Sequence, residues 1–321
     1  MRQRMLLTGI ATVAVVSLGL SGCSSLLSET GTGGLEDVTI AVEPLIGSAA
    51  VYLGAQEGFF ADEGIDLTIN SLPANSKAVV EMVAAGNAAF GLSDTLTLLV
   101  EHSSGTPVKV LSGAYSSTSD PNSDFAALVV KQDSPITTIT DIQGKIVSTA
   151  APRSLDETVV QGMISDDGGN PAGVHFVKVP PSAAIGALES DEVDVAFLVE
   201  PYLSWAVEAG HRVLSYPYVE YVNYLNVAAF FTSSETAENN PELAERFTSA
   251  VEKSLTFAQN NPQAARDIFA TYTTTEEGTR TTLIMPRFTP TIERPALEKL
   301  GVTAKEHGII FADPDLDSLL P

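Results

Sequence analysis

Between Val38 and Thr232 short apolar, β-branched runs alternate with stretches whose apolar residues recur every three or four positions, the pattern of strands alternating with helices. The first unit sets the plan. A strand Val38–Val42 is followed by the link Glu43–Gly47, which holds Pro44 and Gly47. A helix then begins near Ser48, with Val51, Leu53, Ala55, Phe59 and Phe60 at its apolar positions; Gly64 stops it and a second strand, Ile65–Ile69, follows. The free N–H groups of such a helix start face the strand ends, where open α/β sheets bind ligands.

The same alternation continues. After the turn Leu72–Asn75, Ser76 is expected to cap a helix Lys77–Ala85 that ends at Gly86-Asn87. A strand Ala88–Leu92 stops at Ser93-Asp94-Thr95, which also suits a cap for Leu96–His102. Val108–Ser112 reads as a strand ending in Gly113-Ala114-Tyr115, and after the polar stretch Ser116–Asp124 comes the apolar run Phe125–Val130. Beyond it, Ile146–Thr149 is a strand and Ala150–Arg153 its loop; Ser154 with Glu157 makes a capping-box pattern. Strand Val174–Val179, helix Ala183–Glu189 and a strand ending at Val199-Glu200-Pro201 then echo the order of Gly64–Asp94. The sequence therefore predicts an α/β protein of two similar domains, each a mixed sheet flanked by helices, with a ligand cleft between them. Tyr216–Leu225 is dense in tyrosine, Asn226–Thr232 is a returning strand, and the remainder is helical over Pro241–Gln259, from Pro262, and over Pro295–His307.

Three motifs carry a resemblance. Gly58-Phe59-Phe60 followed by Glu63-Gly64-Ile65 and Leu67, the segment Asp133–Lys145 (DSPITTITDIQGK), and Asp191–Pro201 (DEVDVAFLVEP) stand in order and spacing similar to extracellular solute-binding proteins of the nitrate/sulfonate/taurine and thiamine-precursor type. Ile142 departs from that pattern, which has leucine there. The resemblance runs from Asp37 and thins after Glu235. It implies a periplasmic-binding-protein fold of type II, a small-molecule solute in the inter-domain cleft, and partnership as a monomer with the permease and ATPase of an ABC importer. It implies domains of roughly 36–127 with 229–321 and 128–228, joined through Phe125–Val130 and Asn226–Thr232.

The N-terminus changes the picture of location. Arg2 and Arg4 precede an uncharged stretch, Met5–Leu20, and Leu20-Ser21-Gly22-Cys23 resembles a bacterial lipobox, so residues 1–22 read as a signal peptide. Cys23, the single cysteine, is the expected lipidation site (palmitate in the usual case). Residues 23–35, small and Gly-rich, form the tether from an extracytoplasmic domain to the cell membrane. Arg2 and Arg4 account for two of the 17 basic residues and none of the 40 acidic ones, leaving 15 against 40 and a formal charge of −25. That balance makes nucleic acid and anionic lipid poor partners.

Candidate chemistry is sparse. His102, His175, His211 and His307 show no paired spacing, and there is no phosphate loop, no dinucleotide fingerprint and no nucleophile elbow, so neither catalysis nor a cofactor or metal is expected. The family name also covers a eukaryotic pyrimidine synthase, which depends on a histidine and a cysteine-rich iron motif; this chain has no cysteine after position 23. A ligand-sensing surface lipoprotein would share the fold. By match to strand-end positions, the expected ligand-binding residues are Ser48, Ser76, Ser93, Asp94, Thr95 and Tyr115 in the first domain. Ala150, Arg153, Ser154, Glu200 and Asn223 are expected in the second. Arg153 suits a sulfonate, whereas Asp94, Glu200 and the tyrosines suit a pyrimidine-like solute with N–H donors and a flat ring.

Overall fold

A computed structural model describes residues 34–321 except Pro73, Ala74 and Glu276. The signal peptide, Cys23 and the tether up to Gly33 lie outside the described residues. In chain order the strands are β1 (Glu36–Val42), β2 (Ile65–Ser71), β3 (Phe90–Asp94), β4 (Val108–Ser116), β5 (Ala126–Val130) and β6 (Ile146–Thr149). They continue with β7 (His175–Lys178), β8 (Val195–Val199), β9 (Arg212–Ser215), β10 (Asn226–Ser233) and β11 (Arg287–Phe288).

These strands form two sheets on one plan. The first has the order β11-β4-β10-β3-β1-β2 and the second β7-β6-β8-β5-β9. In the first, β1 is parallel to β2 and β3 while β10 runs antiparallel between β3 and β4; in the second, β6 is parallel to β7 and β8 while β5 runs antiparallel between β8 and β9. The sequence echo thus corresponds to a shared topology. Each antiparallel strand is the one that arrives from the other half of the chain. β5 lies wholly in the second sheet and β10 wholly in the first, so the chain passes between them in residues 117–125 and 216–225. All five residues of β5 are apolar and fully buried, as a strand covered on both faces requires.

The first helix departs from the expected single element. Gly58 adopts φ +82°, a left-handed conformation open to glycine at little cost, and divides the segment into Ala49–Gln56 and Phe59–Asp62. The helix Pro241–Asn260 packs across both pieces, and Pro262–Tyr272 also packs on the first. At the centre of this layer Phe247 stacks on Phe90, with ring centroids 3.7 Å apart and planes at 6°. The helix Arg294–Glu306 touches both Thr95–Ser103 and Leu155–Asp166, so the C-terminal part contacts elements beside each sheet. A smaller apolar cluster, including Val129, Leu188, Leu198 and Leu203, backs the second sheet.

Helix caps correct one expectation and refine another. The cap of the helix Ser76–Ala84 is Asn75, whose side chain accepts from Ala78 N at 3.1 Å, and not Ser76, which is the first helical residue. Asn and Ser serve about equally well at a cap; with Asn75 in that place the Ser76 hydroxyl is free to serve another group. Asn75→Ala should cost about 1 kcal/mol of stability in urea unfolding of the solute-free protein, while Ser76→Ala should leave the cap intact; equal losses would reassign it. Ser154 caps the helix Leu155–Asp166 through Glu157 N, but the Glu157 carboxylate accepts from Arg153 N at 2.7 Å, one residue before the position of a reciprocal capping box. No helix among the described residues is long and apolar enough to cross a membrane.

Candidate functional site

The strand order places one reversal point in each sheet. β2 and β3 lie on opposite sides of β1, and β7 and β8 on opposite sides of β6, so the crevices outside the carboxyl ends of β1/β3 and β6/β8 are where an α/β sheet offers a ligand site. Glu43 follows β1, Asp94 ends β3, and Asp156 lies in the first helical turn after β6.

Glu43, Asp94 and Asp156 act on one another although they come from three loops and both sheets. Burial pushes the Glu43 carboxyl up to about 7; the Ser76 hydroxyl pulls against that shift, and the Asp94 and Asp156 charges add to it. Burial likewise pushes Asp156 up to about 6, against the Tyr218 hydrogen bond and with the Asp94 charge. Tyr218, from the helix Pro217–Tyr221, donates to the Asp156 carboxylate at 2.7 Å. Ser76 Oγ donates to Glu43 Oε1. Asp94 caps the helix Thr95–Ser103, accepting from Thr97 N at 2.8 Å and Thr97 Oγ1 at 2.6 Å.

Aromatic rings join the carboxylates. Tyr115, on β4, packs edge-on to Phe125 at 5.8 Å, and Phe125 meets Tyr218 at 5.7 Å. The phenolic end of Tyr115 lies against the loop after β1: a Cβ on Gly47 would fall 2.0 Å from Tyr115 Cε1 and 2.3 Å from Cζ, so only glycine lets this ring approach. Tyr115 is 8% exposed, its hydroxyl has no hydrogen-bond partner among the described residues, and Glu43, Asp94 and Asp156 all act on it. Burial raises its pKa, so it is a neutral donor. Tyr272 stacks on Tyr52 at 3.9 Å and donates to Leu45 O at 3.1 Å, bracing the same loop.

Of the residues expected from sequence, Ser76, Asp94 and Tyr115 lie with this cluster of acids and rings. Ser48 is buried and donates to Glu43 O at 2.6 Å, which holds the loop rather than facing outward. Ser93 is buried beside Ser76 O. Thr95 turns into the core and donates to Asn226 O at 2.7 Å. The Ala150 backbone lies near enough to Asp156 to favour its charged form slightly. Ser154 is engaged as a cap. Arg153 adopts φ +57° and its guanidinium donates to Gly308 O and to Ile309 O at 3.0 Å, so it is turned toward the C-terminal segment. Asn223 is exposed on the turn between the sheets. Glu200 is 1% exposed and its carboxylate accepts from Ser204 N, Ser204 Oγ and Ile284 N, at 3.1, 2.9 and 3.1 Å; it lies apart from the other acids.

Glu43, Asp156 and Tyr218 were not among the expected site residues. Position alone singles out the first two, since one directly follows a strand and the other opens a helix after a strand-end loop.

Solved structures share this architecture. The periplasmic aliphatic sulphonate binding protein SsuA from Escherichia coli superposes with a TM-score of 0.74 at 15% identity, covering 88% of this chain and 91% of that one. The ligand-binding component of an ABC-type import system from Staphylococcus aureus gives 0.74 at 11% identity, covering 89% and 96%. The periplasmic nitrate-binding protein NrtA from Synechocystis PCC 6803 gives 0.70 at 12% identity, covering 89% and 86%. These likenesses show a periplasmic-binding-protein fold. Among curated protein sequences none matches. The sequence profile described as NMT1/THI5 like matches residues 46–265, more than half of the chain, including Asp94 and Asp156 but not Glu43, and the protein belongs to the NMT1/THI5-like family.

Proposed function

We propose that this protein is an extracytoplasmic solute-binding lipoprotein that captures a small organic solute between its two sheets and delivers it to the permease and ATPase of an ABC importer. One observation carries the reading: Glu43, Asp94 and Tyr115 from the first half meet Asp156 and Tyr218 from the second at the carboxyl ends of parallel strands. A site shared by two halves binds by closure, which excludes water and strengthens each polar contact. The halves are then two domains, roughly 36–127 with 229–321 (discontinuous) and 128–228, with their boundaries at the start of β5 and of β10 and flexing at 117–125 and 216–225. The protein works as a monomer and performs no catalysis. The sulphonate- and nitrate-binding proteins of the same fold support a transport role.

Two measurements test this. The solute-loaded protein should stimulate ATP hydrolysis by the permease–ATPase pair reconstituted in liposomes, and its deletion should abolish uptake of that solute. Binding without stimulation would point to a sensor instead. Cys23→Ala should leave the body folded but release it from membranes, because the acyl chains on that residue are the anchor the sequence offers. A cleaved Cys23→Ala protein that still sediments with membranes would refute the lipid anchor.

A further inference from the structure

The charges around the recess do not balance. Glu43 and Asp156 are pushed up by burial and by neighbouring carboxylates, and no lysine, arginine or histidine is among the main influences on either. None of Glu43, Asp94 and Asp156 takes part in an ion pair among the described residues. The nearest basic candidate in sequence, Arg153, is committed to two backbone carbonyls of the C-terminal segment. A half-buried recess with three acids and no cation holds its charge at a cost that an incoming positive group removes.

A second feature points to a ligand independently of the acids. The Tyr115 side chain is more than nine-tenths buried, its hydroxyl makes no hydrogen bond among the described residues, and all three acids act on it. Polar groups on buried side chains are ordinarily paired, so this hydroxyl is open to a partner from outside the chain. The rings of Tyr115, Phe125 and Tyr218 add π-faces at the same place. The described residues contain no group of three His, Cys, Asp or Glu side chains close enough to hold a metal ion, so the acids are spread too widely for a bare cation and suit a larger one.

We propose that the solute is an organic cation, an ammonium or amidinium group on a small flat or apolar body. Its charged end is received between Glu43, Asp94 and Asp156, and the Tyr115 hydroxyl bonds to a polar atom beside it. Asp156 and Tyr218 come from the opposite half, so the cation is also what draws the halves together. A sulfonate would add its negative charge to three acids that already repel one another. This inference rests on the solute-binding reading.

Thermal shift and calorimetric titration of the full soluble domain test it, with benzamidinium and butylammonium as cations, benzamide as the neutral match of the first, benzenesulfonate and taurine as sulfonates, and calcium chloride as the metal. Saturable stabilisation by a cation, absent with benzamide and the sulfonates, is expected. Glu43→Gln and Asp156→Asn should each weaken that cation by about tenfold or more, and Tyr115→Phe by less, with near-wild-type melts in the absence of solute. If no organic cation binds, the proposal is overturned; if a sulfonate or benzamide binds instead, the cation fails while solute capture stands. Stabilisation by calcium alone, or cation binding unchanged in Glu43→Gln and Asp156→Asn, also overturns it. Failure of the solute-binding reading itself is distinct: no compound of any charge binds, and the loaded protein does not stimulate the transporter ATPase.

Discussion

Phe247→Ala should destabilise the protein by about 3–5 kcal/mol, the range for emptying a fully buried aromatic site. Phe247 is fully buried in the long helix Pro241–Asn260, stacks on Phe90 and lies within 5.9 Å of Phe60 and 6.1 Å of Phe230, ring centre to ring centre. Those rings belong to β3, β10 and the short helix after Gly58, so one side chain ties the first sheet to the helices that cover it. Three rings around one position leave a hole that cannot collapse without moving the sheet. Phe247→Leu refills most of the volume and should lose much less. Urea unfolding of the two variants checks this, and a loss below about 1 kcal/mol for alanine would mean that the stack is looser than its geometry implies. The candidate site lies at the strand ends, so the folded fraction should retain wild-type affinity for any solute bound there.

The strands and their alternation with helices were legible because apolar runs bounded by turn residues leave few other options. The run Ala126–Val130 has no polar position, and a segment of that kind must be covered on both faces. Asp94 could be read as a cap because its bond to Thr97 N is local. The break at Gly58 was hidden because Phe59 and Phe60 continue the apolar spacing, and only the observed φ shows the chain turning there.

The site was legible in position but not in charge. Glu43 and Asp156 read in sequence as ordinary acids, one in a loop and one complementing the dipole of a helix start. Their approach to Asp94 depends on the pairing of β1 with β3 and on the placement of the two sheets, neither of which has a local signature. Arg153 misled for the opposite reason. A guanidinium at a helix start suits an anion, yet its partners are carbonyls at residues 308 and 309, far along the chain. From the tyrosine-rich segment Tyr218 reaches Asp156, whereas Tyr221 is spent on Thr303 at 2.7 Å and braces the helix Arg294–Glu306.

Glu200→Ala should lower stability by about 2–3 kcal/mol and leave solute affinity unchanged. The acid-proline pair at the end of β8 suggested a ligand contact, but the carboxylate is occupied: Ser204 donates twice, from N and Oγ, and Ile284 N once. Ile284 belongs to the segment that returns from the C-terminal helices, so this acid links the second sheet to that segment and starts the helix Tyr202–Glu208. Truncation leaves two backbone N–H groups without an acceptor, and burial already raises the Glu200 pKa. Its carboxylate is therefore retained by those donors rather than by solvent. Glu200→Gln keeps one carbonyl acceptor and should recover part of the loss. Trp205 Nε1, which donates to Thr279 Oγ1 at 3.1 Å, reports on the same contact, so its fluorescence should shift in Glu200→Ala as residues 279–284 loosen. Thermal melts beside titration with the bound solute separate the two roles. A lowered melt at constant affinity supports the tether, and an unchanged melt with weakened binding would return Glu200 to the solute site.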